Sequence, residues 1–265
     1  WGERLDTVRV ENWQMVRSLI YEEMKTGDDI IWRGHADASY KLTSSLYRHF
    51  SGLKIDREKW EDLEISACHY FKETVTNFSM IPNFPDSPTK IELLNALQHY
   101  GCPTRLLDWS WSPYVALYFA LGKKGAGEMA LYGLNLSKYS DYLKKNFPEE
   151  YALGGTIINL ADEKFMSCCR DKIRQPMPIK PAALFRRPMM QKSVFLLDWA
   201  LSDSIESDLN AMDSSLLVKV IIPTASQIEI YKELSLMNID GLHLFDEITG
   251  AAVKSKELLS GMLSH

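Results

Sequence analysis

Between Leu97 and Pro113 the chain has to end one helix, lay down a strand and begin another helix, and it sets a Gln, a His, a Tyr, an Arg and an Asp among apolar residues on the way. The run reads Leu97-Gln98-His99-Tyr100-Gly101-Cys102-Pro103-Thr104-Arg105-Leu106-Leu107-Asp108-Trp109-Ser110, with Ser112-Pro113 just beyond it. Gly101 suits the left-handed residue that closes a helix, and Ser112 followed by Pro113 suits the cap and first position of the next. Ionisable groups beside core residues are costly to bury unless paired or hydrogen-bonded, so the run predicts a site as well as a fold. A second polar cluster in an apolar setting, Ile31-Trp32-Arg33-Gly34-His35, begins in a short strand at Ile30 to Trp32 and puts Arg33 at that strand's end.

Around these clusters the patterning alternates irregularly. Trp13, Val16, Ile20 and Met24 predict a helix over 11–25, and Gly27 ends it. A second helix is predicted over 57–78, broken by Pro82, Pro85 and Pro88, and a third runs from Ser87-Pro88 to Gly101 with Gln98-His99-Tyr100 in its last turn. A strand at 104–108, a nearly all-apolar and therefore buried helix from Ser112, strands at 127–136, 179–186, 193–198 and 216–222, and helices at 138–147, 224–236 and 249–259 complete the prediction. There is no βαβ rhythm, and no Gly-rich phosphate loop follows the first strand, which argues against a doubly wound parallel sheet. The expectation is an α+β fold, one domain with a mixed or antiparallel sheet and surrounding helices.

With 265 residues, 46% of them hydrophobic, the chain can bury one substantial core. A net charge of -5 and the absence of Lys/Arg blocks argue against a general grip on nucleic-acid phosphates. Cys68, Cys102, Cys168 and Cys169 form no CxxC pair and no zinc-like spacing with histidines, so no metal site and a reducing, cytoplasmic setting are expected. No apolar run approaches the roughly 20 residues of a membrane span, and Trp1-Gly2-Glu3-Arg4 lacks the basic and apolar regions of a signal peptide.

The residues resemble the FRG domain, a family named for an aromatic-Arg-Gly motif near its start and largely of unknown function. Here the motif stands as Trp32-Arg33-Gly34, and the likeness continues through Ala38 to Leu42, Ser45 to Arg48, Gln98 to Trp109, Ser112-Pro113, Ala116 to Ala120, Gln191 to Phe195 and Leu244 to Asp246. It implies a single FRG-type domain over 1–265, including a helical part at about 1–28 and another at 57–100. Lys192-Ser193 and Phe245-Asp246-Glu247 depart from the pairing and the Phe-Pro-Asp pattern expected there. The chain also has a fainter likeness to Arg-Ser-Glu ADP-ribosyltransferases, whose aromatic-Arg-Gly strand and serine strand leading into a Val-Ala-aromatic helix are similar to Trp32-Arg33-Gly34 and to Leu107 through Ala120. That likeness implies an ADP-ribosyltransferase-like sheet, with Arg33 on the NAD diphosphate and Ser110 supporting the ribose cleft. The family's third element, a Glu, has no counterpart, because the candidate strand 191–197 begins with Gln191 and holds no Glu.

Each candidate side chain has two readings. Arg33 offers a planar guanidinium to phosphate, with Gly34 allowing close backbone approach, or it pairs structurally with Asp108 or Asp37. Arg105 and Asp108 stand three apart on a strand, so they face opposite ways and do not pair. Asp108 either faces a cleft or caps the following turn. His99 is a general acid/base or a satisfied helix-end histidine, and Gln98 pins the Gly101-Cys102-Pro103 loop. Gln191 binds a ribose or base through its amide, or is a surface glutamine. Trp109 and Trp111 stack on a base or nicotinamide, or pack in the core. Cys102 packs as a small apolar group.

The resulting functional expectation is a cleft for a nucleotide-like small molecule, with Arg33, Gly34, Arg105, Trp109 and Ser110 binding and His99, Asp108 and Gln191 catalytic. NAD would be a substrate, no cofactor being tightly bound, and a macromolecule would accept ADP-ribose, as in a toxin or phage-defence effector. Two alternatives stay open: a noncatalytic ligand-sensing or protein-interaction module, which the missing Glu favours, and a metal-dependent hydrolase on nucleotides or nucleic acid.

Overall fold

The structure is a computed structural model and describes residues 7–82, 84–121, 127–154, 169–182 and 184–259. Cys168 lies outside them. Seven strands form one sheet in the order β1-β7-β4-β2-β3-β6-β5. These are β1 (Thr7–Arg9), β2 (Ile30–His35), β3 (Leu106–Ser110), β4 (Met129–Asn135), β5 (Met177–Ile179), β6 (Ser193–Leu197) and β7 (Leu217–Ile222). β1 runs parallel to β7, and every other pair is antiparallel, so the sheet is mixed and the fold α+β.

Helices cover both faces, and β4 shows why: all seven of its residues are buried. Met129 and Leu131 point into a core shared with α1 (Trp13–Thr26), α5 (Pro113–Ala120) and α10 (Gln227–Leu236). The alternate residues Ala130, Tyr132 and Leu134 point into a larger core with α3 (Trp60–Asn77), α4 (Lys90–His99), α6 (Leu136–Asn146) and α9 (Ile205–Met212). A period of two with both phases apolar is the signature of a strand covered on both sides. Of the remaining helices, α2 (Ser45–Gly52) and α7 (Pro148–Gly154) complete the set, α8 (Arg187–Met190) supplies Arg187 to the site, α11 (Gly241–Leu244) meets Gln191 through its Leu244 carbonyl, and α12 (Glu247–Leu259) packs on α11.

Local signals set several helix ends as expected. Ser112 accepts from the Val115 amide with Pro113 at the first helical position, and Gly101 has φ +85°. α4, however, starts at Thr89 rather than Ser87, because Thr89 and Glu92 cap each other's backbone reciprocally. The N-terminal stretch is not wholly helical, since β1 precedes α1. The strand expected at 179–186 ends at Ile179, where Pro181 lacks the amide hydrogen a ladder needs. β2 extends to His35, so Arg33 sits inside a strand, in register with Tyr132, and not at its end.

Candidate functional site

β2 and β3 lie side by side in the middle of the sheet but share a single backbone pair, Trp32 with Ser110. Past that pair a side chain joins them instead: Arg33 Nη1 donates to the carbonyl oxygen of Asp108. Two residues along the same strand, and so on the same face, His35 accepts a hydrogen bond from Arg33 Nε at 3.1 Å through Nε2. An accepting imidazole nitrogen carries no proton. Consistently, burial, with the Arg33 charge adding to it, pushes His35 down to about 3. Burial also lowers Arg33, opposed by the charge of Asp108.

At this junction a cavity of about 210 Å³ opens, walled by Trp32, Arg33 and Gly34 of β2, Asp108, Trp109 and Ser110 of β3, Val115, Ala116 and Phe119 of α5, and Arg187, Gln191 and Ser193. A smaller cavity of about 80 Å³ adjoins it, sharing Asp108, Arg187, Gln191 and Ser193 and adding Asn95, Gln98 and His99 from α4. The structure therefore brings Arg33, Gly34, Asp108, Trp109, Ser110 and Gln191 to one place, with His99 in the adjoining recess.

The contacts sort these residues. The Asp108 carboxylate accepts from Gln98 Nε2 at 2.8 Å, and Gln98 Oε1 accepts from the Thr104 hydroxyl. Gln98 thus positions Asp108 rather than a loop backbone, and Asp108 faces outward rather than capping a turn. His99 stacks on Phe185 with ring centroids 3.8 Å apart and 5° between planes. Burial, then the charge of Arg187, holds its pKa below the ordinary value, so it is neutral near pH 7. Ser110 donates to the Gln191 carbonyl at 2.8 Å and accepts from the Ser112 amide at 3.0 Å, so it ties β3 to the turn before β6.

Four expectations are corrected. Gln191 is buried, not a surface residue, and its amide Nε2 is spent on the Leu244 carbonyl at 2.9 Å, which leaves it to anchor the C-terminal segment against the site. Trp109 is 2% exposed and packs in the larger core, so it is wall and not a stacking platform. A Cβ on Gly34 would meet Ala116 O at 2.0 Å, so the backbone its missing side chain admits is that of α5 rather than a ligand. Arg105 turns away altogether: both ends of its guanidinium bind Glu64, Nη1 donates to Trp199 O at 3.0 Å, and it lines a separate cavity.

Two site residues escaped the sequence reading. Arg187 lies between the two recesses, its guanidinium 4.9 Å from the Phe245 ring centroid, and nothing local in Arg186-Arg187-Pro188 marks it. Asn95 is 2% exposed and lines the smaller recess, and neither its amide nitrogen nor its amide oxygen has a partner among the described residues. Its signal was available: it is an amide on a helix face otherwise built from Ile91, Leu94 and Leu97.

Residues 28–128 match the family model of the FRG domain. The chain carries an FRG domain. The FRG match spans β2 through α5 and contains Arg33, Gly34, Asn95, His99, Asp108 and Ser110, while Arg187 and Gln191 enter the cleft from the chain beyond it. No curated protein and no solved structure matches this FRG-domain chain. Among the described residues no helix is long and apolar enough to cross a membrane, and no group of three or more His, Cys, Asp or Glu side chains is placed to hold a metal.

Proposed function

We propose that the cleft binds a pyridine dinucleotide such as NAD and breaks its nicotinamide–ribose bond, passing ADP-ribose to water or a macromolecular acceptor. The observation that carries this reading is the convergence of two guanidiniums, Arg33 and Arg187, with one carboxylate, Asp108, on a single cavity. Guanidinium forks match phosphate oxygens bidentately, so the two arginines suit a diphosphate. The unpartnered Asn95 amide in the adjoining recess suits a carboxamide, which presents one donor face and one acceptor.

In the reaction the bond between ribose C1′ and the pyridinium nitrogen breaks, and its electron pair leaves with neutral nicotinamide. C1′ then bonds to an oxygen of the acceptor, which gives up its proton. Asp108 stabilises the positive charge that grows on the ribose, the part a Glu would otherwise play. His99, neutral at pH 7, takes the acceptor's proton.

The test is nicotinamide release from NAD by the purified protein, with and without cell lysate. Wild type is expected to release nicotinamide. Arg33→Ala and Asp108→Asn should each slow release on the order of a hundredfold, as removal of a transition-state contact does. A second reading, a noncatalytic ligand-sensing module, is favoured by the engagement of Gln191 with Leu244, which takes its amide donor away from the cavity. NAD bound by folded wild type without any release would establish that reading, and absence of binding would remove both.

A further inference from the structure

We propose a second ligand site, on the Arg105 side of the sheet, for a phosphorylated aromatic small molecule of the nucleotide class. It is independent of the reading given to the Arg33 cleft. A cavity of about 430 Å³ opens there, about twice the size of the first, and five cationic side chains line it: Arg57, Lys90, Arg105, Arg170 and Arg174. They arrive from the turn before α3, the start of α4, the residue before β3 and the segment before β5, so the fold gathers them rather than a basic run in the sequence.

The charges are not balanced locally. Glu64 serves two of the five, Arg105 and, at 3.0 Å, Lys90. Arg170 pairs with Asp171 at 2.7 Å, and Glu61 also lines the cavity. Among the described residues, Arg57 donates to the backbone carbonyls of Ala200 and Leu201 and makes no ion pair, and neither does Arg174. Among the described residues, five cations meet four carboxylates, Glu61, Glu64, Asp171 and the buried Asp198 whose charge acts on Arg105, so positive charge is in excess around one hollow in a chain whose net charge is -5. Like charges held together raise the free energy of the folded state unless an anion joins them. Arg174 also holds φ +54°, a strained conformation for a side-chain-bearing residue.

Two indoles complete the chemistry. Trp60 is buried with Arg57 4.8 Å from its ring centroid. Trp199 is partly exposed at the cavity wall, and its buried Nε1 has no partner among the described residues. Guanidiniums for phosphate and an indole for a base, in one open hollow, are the two halves of nucleotide recognition. The hollow takes a single nucleotide rather than a length of strand.

The test uses ATP as probe, titrated calorimetrically into the full chain carrying Arg33→Ala, so that the first cleft does not contribute. ATP is expected to bind, and to bind more tightly than inorganic triphosphate or adenosine. Adding Arg174→Glu should weaken it at least about tenfold and Arg174→Gln less, and Trp199→Ala should weaken it severalfold, with circular dichroism confirming the fold. Nicotinamide release by the single Arg174→Glu variant should equal wild type, which separates this site's failure from failure at the first cleft. No ATP binding in the Arg33→Ala background, indifference to Arg174→Glu, equal affinity for triphosphate and ATP, or tighter binding of a single-stranded oligonucleotide would each overturn the assignment.

Discussion

Arg33 and Arg105 both carry a guanidinium into the interior, and their acceptors decide what each can do. Arg105 commits both ends of its guanidinium to Glu64, a carboxylate it shares with Lys90. Burial pushes the Glu64 carboxyl up, and the hydrogen bonds and charge of Arg105, with Lys90, more than offset it. Arg33 donates to an imidazole and a carbonyl, both uncharged, and so keeps its charge for a ligand. The sequence shows the same residue type beside apolar neighbours in both places. It could not separate them, because the partner of Arg105 lies 41 residues away. Titration gives a residue-level prediction. His35, held near 3, makes the unfolded chain take up the proton first, so stability falls as pH drops from 6.5 toward 3. Asp198, raised to about 6 by burial, acts in the opposite sense: the folded protein protonates first, and stability rises as pH falls from 6 toward 3.8. Asp198→Asn removes the offsetting contribution. Urea unfolding from pH 7 to pH 4 should therefore show the variant losing stability more steeply than wild type below pH 6, by up to about 3 kcal/mol. Parallel pH profiles would contradict this.

Helices were more legible than strands. The Ser112-Pro113 start and the Gly101 stop are local chemistry and were read correctly. Strand limits depend on partners elsewhere, so β3 lies two residues later than its apolar pattern suggests and β5 is three residues long. The contact between α5 and β2 shows what an element can depend on. It passes through Gly34, where a Cβ would also stand 2.8 Å from the Ala120 amide nitrogen and 2.9 Å from its Cβ. Backbone cannot yield as a side chain does, so Gly34→Ala is expected to displace α5 and cost about 3 kcal/mol or more, at the upper end for overpacking. Because α5 supplies Val115, Ala116 and Phe119 to the cavity, the variant should also lose NAD binding. Thermal unfolding together with a binding titration checks both, and a variant as stable as wild type would show that α5 is not clamped there.

At the scale of the molecule, the mixed character of the sheet was readable from the irregular order of elements, but its strand order was not. The site is likewise split between what the sequence shows and what only the fold assembles. Arg33, His99 and Asp108 stand in conspicuous motifs and Asn95 on an otherwise apolar helix face, whereas Arg187 gains meaning only when α8 is folded beside β6. The single pairing of Trp32 with Ser110 has its own consequence. It leaves the sheet as two ribbons, β1-β7-β4-β2 and β3-β6-β5, stitched at one point and by one arginine. A molecule seated across that seam and touching both Arg33 and Asp108 would bind the intact sheet and not its parted halves, so occupancy would raise the melting temperature of the whole chain by mass action. A ligand held at a hundred times its dissociation constant is worth about 2.7 kcal/mol on that account. The melting curve of this protein, set beside that of Arg33→Ala, thus serves as a detector for whatever fills the seam, and compounds can be screened by heat before any reaction is known.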